Sequence, residues 1–353
     1  MKTRVALTAI ALALTAGSVE LAVAQAPIQL TPPAPRTTRE PAAKPAARKP
    51  APAQAAPAAP RTPAASSREL DTAYGAFQRG FYMTAFAIAT RRADENGDVK
   101  AMTLLGELYA NGLGVEQDDK KAAEWYRLAA ERGDRAAMFA LAMFHLGGRA
   151  GVVNREQAAK LLASAAKLGH APAAYDLGLL YLEGQLFPQD FARAAELFAS
   201  AAQAGIPEAQ YALATLYKEG RGVAKDLAES ARLLAAASLA DNTDAQVEYA
   251  IALFNGAGTP RNEQAAAALL KKAARKGSPV AQNRLANILA IGRGLQADPV
   301  EAIKWHIVAK AGGVSDIPLD TFMQKQTSEV RAAGEKAAKS WVDALKESRD
   351  SRS

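Results

Sequence analysis

The stretch "NGLGVEQDDK" at residues 111–120 sets two glycines one residue apart, ahead of acidic residues and lysines. That composition suits a loop whose backbone amides cradle phosphate. A phosphate loop occurs once in a chain, with a lysine and a hydroxyl in fixed places. Here the element recurs six times, so it reads as a turn. Ser164 and Lys167 have the spacing of the serine–lysine motif of penicillin-binding enzymes, but neither companion motif is present and the pair falls inside a helical run. Of three histidines, His145 takes a slot filled by Tyr109, Tyr181 and Tyr217, His306 takes that of Tyr126 and Phe198, and His170 lies in a turn. No spacing among them suits a metal or a catalytic triad. Cysteine is absent, which removes disulfides, thiolate metal sites and a lipid-modified cysteine anchor. The expectation is a chain with no catalytic residue, no metal, no cofactor and no small-molecule substrate.

The elements that carry these residues repeat. From Val99 the chain divides into six blocks of 36 residues without insertion: 99–134, 135–170, 171–206, 207–242, 243–278 and 279–314. The third position is always alanine (Ala101, Ala137, Ala173, Ala209, Ala245, Ala281), and so is the thirty-first (Ala129, Ala165, Ala201, Ala237, Ala273, Ala309). The fourteenth is always glycine: Gly112, Gly148, Gly184, Gly220, Gly256 and Gly292. It follows a run of helical periodicity, where the chain must turn left-handed at a steric cost of about 1–2 kcal/mol for other residues. The twentieth is always Asp or Asn: Asp118, Asn154, Asp190, Asp226, Asn262 and Asp298. It precedes the next periodic run, where its side chain accepts the unpaired amides of a helix start, worth about 1 kcal/mol. In the sixth block Asp298, Pro299 and Glu301 together form a full helix-start signal with a capping box. Each block is therefore helix A, a loop and helix B, with alanines that let helices approach closely. In the first block Leu105, Leu108 and Tyr109 share a face of helix A, and Trp125, Leu128, Ala129 and Arg132 lie on helix B.

The segments "AMTLLGELYANGLGVEQDDKKAAEWYRLAAERGD" (101–134), "AAYDLGLLYLEG" (173–184), "AQYALATLYKEGRGVAKD" (209–226) and "AIKWHIVAKAGG" (302–313) strongly resemble the Sel-one-like repeat family, a relative of the tetratricopeptide repeat. The resemblance covers residues 99–314. It implies an all-α fold, a right-handed superhelical α/α solenoid of six helix-loop-helix repeats, in which each unit touches only its neighbours. It also implies adaptor or regulatory roles, including restraint of envelope signalling proteins. The cysteine pairs of a branch associated with penicillin binding and weak lactamase activity are missing.

The flanks differ in composition. Lys2 and Arg4 precede the apolar run Val5–Ala16, and Ala22-Val23-Ala24 offers small residues for signal peptidase. The run is shorter than the roughly 20 residues of a membrane span and Glu20 interrupts its continuation. A signal peptide at residues 1–24, cleaved after Ala24, is expected, giving an exported, periplasmic or secreted protein that is not a lipoprotein. Eleven of the 18 prolines fall in residues 26–67, which suits a disordered, semi-rigid tether over 25–69. That tether carries a net charge of +5, while residues 70–353 carry +1 of the formal +7. A nucleic-acid-binding body would carry the basic stripe itself, so no nucleic acid is expected. The tether suits weak attraction to an anionic membrane or cell wall, which would make the array a structural envelope organiser instead of an adaptor, or serves as a solvated spacer. Residues 70–98 read as a degenerate leading helix pair. Residues 315–353 read as a capping helix and tail with the stripe Val330, Ala333, Ala337, Trp341 and Leu345.

A second apolar stripe runs along helix A at the fifth, ninth and twelfth positions: Phe139, Met143 and Leu146; Tyr175, Leu179 and Leu182; Tyr211 with Thr215 and Lys218; Val247, Ile251 and Phe254. A helix apolar nearly all round is buried on both sides or faces a partner. Phe139, Met143, Leu146, Tyr175, Leu179, Leu182, Tyr211, Ile251 and Phe254 are therefore the expected partner-binding residues. The partner would be another protein or peptide of the cell envelope, held in a helix-lined groove; packing between successive A helices is the competing reading. Leu186 and the "GGRAGVVN" of block two depart from the loop pattern.

Overall fold

The computed structural model describes residues 65–350, which form sixteen α-helices and no strand. The signal peptide and residues 25–64 of the tether lie outside the described residues. A compact unit runs from Thr72 onward. The leading pair is α1 (Ala65–Gln78) and α2 (Tyr82–Asn96), so helix starts five residues before the expected boundary at residue 70. The repeats follow as A/B pairs: α3 (Val99–Asn111) and α4 (Asp119–Glu131), α5 (Arg135–Leu146) and α6 (Arg155–Lys167), α7 (Ala171–Glu183) and α8 (Phe191–Gln203). Next come α9 (Pro207–Glu219) and α10 (Leu227–Leu239), α11 (Thr243–Asn255) and α12 (Glu263–Arg275), and α13 (Pro279–Ile291) and α14 (Pro299–Ala311). Two further helices, α15 (Ile317–Gln324) and α16 (Ser328–Asp350), close the array where one was expected.

The loop chemistry explains the boundaries. Helices α3, α7, α9, α11 and α13 stop at Gly112, Gly184, Gly220, Gly256 and Gly292, all left-handed. Repeat two shifts by a residue: Gly147 caps α5 in the right-handed region and Gly148 makes the left-handed turn at φ 70°. Asp118, Asn154, Asp190, Asp226, Asn262 and Asp298 each accept a backbone amide at the start of helix B. Each also donates its own N–H to a carbonyl of helix A, as in Asp118 to Tyr109 and Asp298 to Leu289, both 3.0 Å. With that amide taken, Glu301 does not close the expected capping box. Its carboxylate meets Lys304 Nζ at 2.6 Å and accepts from Trp305 Nε1 at 3.2 Å.

Each helix A packs between its own helix B and the helix B before it. The alanines at the third and thirty-first positions are buried throughout, which allows this approach. The eighth and twenty-eighth positions answer one another across the A/B pair. Gly106 sits against the Tyr126 ring and Gly178 against the Phe198 ring, so close that an added Cβ would lie 2.6 Å from ring carbon in either case. The four other repeats carry Ala142, Ala214, Ala250 or Ala286 at the eighth position, and smaller side chains, Leu162, Leu234, Leu270 or His306, at the twenty-eighth.

Loops bind each repeat to the one before. A Cβ on Gly258 would stand 1.9 Å from the Leu227 carbonyl oxygen, and one on Gly222 2.2 Å from the Phe191 carbonyl carbon. In repeat two Ala150 takes this place, and the neighbouring Arg149 pairs with Asp119 at the start of α4 and donates to the Ala110 carbonyl at 2.6 Å. At the C-terminal end α16 packs on α14, with Gly334 against Ile303 and Trp341 5.0 Å from Trp305. Ala333 of the expected stripe faces solvent; Gly334 and Ala338 take the buried places.

Candidate protein-binding face

Side chains join one A helix to the next, and the last A helix to the closing helix α15. Lys218 Nζ on α9 meets Glu248 on α11 at 2.7 Å. Asn283 and Asn287 on α13 donate to Asp316, the cap of α15, at 2.9 and 3.0 Å. The A helices thus share one wall, and the fifth, sixth, ninth and twelfth positions decide what that wall presents.

Phe139 is half-buried with its ring centroid 4.7 Å from His170. Met143, Leu146, Tyr211 and Ile251 are half-buried too. Tyr175 leans on Phe198 at 5.7 Å, and the Arg293 guanidinium covers the Phe254 ring at 4.3 Å. Leu179 and Leu182, expected on the binding face, are only 2 % and 7 % exposed. They are core residues, because α7 is enclosed between α6 and α8 and its apolar character continues past the wall. Leu186, which departs from the loop pattern, is half-buried.

The wall also carries charge, which a reading confined to apolar positions misses. Burial pushes the Tyr175 hydroxyl up to about 12, with Asp176 and Glu208 adding to it. Tyr211 is likewise raised to about 12, by burial first and then by Glu248 and Asp244. Asp176 is only 8 % exposed, and burial lifts its carboxyl to about 7. Reading the second and sixth positions as columns would have found these carboxylates.

The groups with catalytic spelling are engaged elsewhere. Ser164 donates its hydroxyl to the Lys160 carbonyl at 2.9 Å. His170 caps α7 by accepting the Ala173 amide at 3.2 Å, and burial and then Arg135 lower its pKa. His306 meets Asp320 at 2.8 Å, and burial lowers the pKa of His145. Two hollows of about 470 and 410 Å³ lie at helix joints, one beside Leu285, Leu289 and Trp305, the other beside Val99 and Leu168. Among the described residues no group of three or more His, Cys, Asp or Glu side chains is placed to hold a metal, and no helix is long and apolar enough to cross a membrane.

The Sel1 repeat family model matches residues 99–134, 135–170, 171–206, 207–242, 243–278 and 279–314. The chain belongs to the Sel1-repeat family. Among solved structures, a Sel1 repeat protein from Oxalobacter formigenes is similar at 26% identity and a TM-score of 0.60, over 70% of this chain and 99% of that one. The uropathogenic Escherichia coli protein c5321, described as a protective antigen displaying an SLR fold, is similar at 25% identity and a TM-score of 0.56, over 78% of this chain and 68% of that one. No curated protein matches the chain. Sel1-repeat proteins mediate protein–protein interaction, and this member has their all-α solenoid architecture.

Proposed function

We propose that this protein is an exported scaffold, periplasmic or secreted, that holds another protein of the cell envelope along its helix A wall. The observation that carries the reading is the row of half-buried Phe139, Met143, Leu146, Tyr175, Tyr211 and Ile251, which keeps part of its apolar surface in solvent across four successive repeats. Partly exposed aromatic and aliphatic anchors on a rigid array supply contact area at low entropic cost. Export rests on the N-terminal Lys2–Ala24 pattern.

The test is a cross-linked capture from envelope extract with the full chain and with Met143→Lys/Ile251→Lys as baits. One protein retained by the native bait and lost with the variant, at unchanged helical circular dichroism, is expected. Capture of the same set by both baits would refute the helix A wall as the binding surface.

A further inference from the structure

The A helices of repeats three to five are strongly acidic. Helices α7, α9 and α11 together hold Asp176, Glu183, Glu208, Glu219, Asp244 and Glu248 against one cation, Lys218. Neighbours neutralise half of them: Arg155 stands 4.0 Å from Glu183, Arg221 3.3 Å from Glu219, and Lys218 2.7 Å from Glu248. Among the described residues Asp176, Glu208 and Asp244 have no ion pair, and they flank the two wall tyrosines, Tyr175 and Tyr211.

Asp176 is the informative member. It is more than nine-tenths buried, and among the described residues no hydrogen bond or ion pair reaches its carboxyl, whose oxygens keep a narrow contact with solvent. An unpaired carboxyl with so little solvent contact is costly and calls for an explanation. The repeat register supplies one. Asp176 occupies the sixth position of its repeat, as Glu248 does two repeats later. Glu248 is met by the twelfth-position residue of the preceding helix A, Lys218. In front of Asp176 the corresponding residue is Leu146, so the cation that completes the same slot in repeat five is missing in repeat three.

We infer that the wall formed by α7, α9 and α11 binds a cationic, extended segment of a partner protein, with one lysine or arginine meeting Asp176 beside Tyr175 and others meeting Glu208 and Asp244. Charge complementarity selects the occupant: the face offers three unmatched carboxylates and two aromatic rings, which suit an ammonium or guanidinium through ion pairing and ring-face contact. An acidic or apolar segment would leave those carboxylates unpaired. The inference rests on the helix A wall being the binding surface and names the class of segment it takes.

The probe is a synthetic peptide of alternating lysine and alanine, titrated into the full chain by calorimetry at low salt. Its fully lysine-acetylated copy is the neutral control. Binding of the cationic peptide is expected, weakened at least tenfold by acetylation and at least tenfold by Asp176→Asn. Glu208→Gln/Asp244→Asn is the second variant, should Asp176→Asn perturb folding, and it should weaken binding severalfold. Glu335→Gln/Glu347→Gln on α16 removes the same charge away from the wall and should change nothing. Equal weakening by the α16 pair would mean diffuse attraction and would overturn the proposal. So would equal binding of the acetylated peptide, or self-association of the chain in place of peptide binding. If the peptide fails while Met143→Lys/Ile251→Lys still abolishes capture from extract, the cationic class is wrong and the binding wall stands.

Discussion

The pairing of Gly178 with Phe198 makes a double substitution predictable. In an unhindered helix interior Gly→Ala stabilises by about 1 kcal/mol. At Gly178 the new methyl would lie 2.6 Å from a Phe198 ring carbon, well inside ordinary contact, and Phe198 is fully buried with Tyr175 leaning on it. The ring has nowhere to move. Overpacking of this kind costs up to about 3 kcal/mol, so Gly178→Ala should destabilise by about 2 kcal/mol net. Phe198→Leu removes part of the ring and leaves a void above Gly178, for a loss of about 2 kcal/mol. Together the changes install the Ala–Leu pair that repeat four uses as Ala214 and Leu234. The methyl then fills the void, and the double variant should lose about 1–2 kcal/mol, against about 4 kcal/mol if the effects were independent. Urea unfolding followed by circular dichroism on all four proteins gives the cycle. Additivity within about 0.5 kcal/mol would refute the reasoning, as would stabilisation by Gly178→Ala alone.

Three glycines with similar left-handed φ separate backbone strain from crowding. Gly277→Ala has open space and Gly256→Ala ordinary contact at 3.4 Å, so both should cost about 1–2 kcal/mol; Gly258→Ala meets the Leu227 carbonyl oxygen at 1.9 Å and should cost at least about 2 kcal/mol more. Equal losses in urea titrations would show that the loop does not bear on the preceding helix B. Asp298→Ala should lose about 1 kcal/mol and Asp298→Asn much less, because either Asp or Asn can accept the Glu301 amide; equal melting temperatures for the alanine variant and the native chain would count against the cap. Asp176 has a folded pKa raised to about 7, so between about pH 4 and pH 7 the folded state holds a proton that the unfolded state has lost. Native stability must therefore fall relative to Asp176→Asn as pH rises through that window, by a few kcal/mol at most. Measured at high salt to release cationic ligands, a pH-independent difference between the two proteins would mean that Asp176 is solvated.

The sequence by itself determined the period, the helix pairs and their ends. Those features rest on local backbone chemistry: a glycine such as Gly184 where the chain turns left-handed, an Asp such as Asp118 where amides need an acceptor, and apolar residues at helical spacing. Local rules act within a few residues, so one copy suffices to see them and six copies confirm the register. The tertiary structure alone decided which apolar residues reach solvent. Leu179 and Tyr175 sit four residues apart on one helix and read alike, yet Leu179 is enclosed and Tyr175 is not, because exposure depends on where α6 and α8 lie. It also decided the meaning of Gly178, which answers a ring twenty residues away, and of Asp176, which packing leaves only 8 % exposed and without an ion pair among the described residues. Both depend on side chains brought together from different helices, a distance over which a repeat pattern carries no information until the helices are packed.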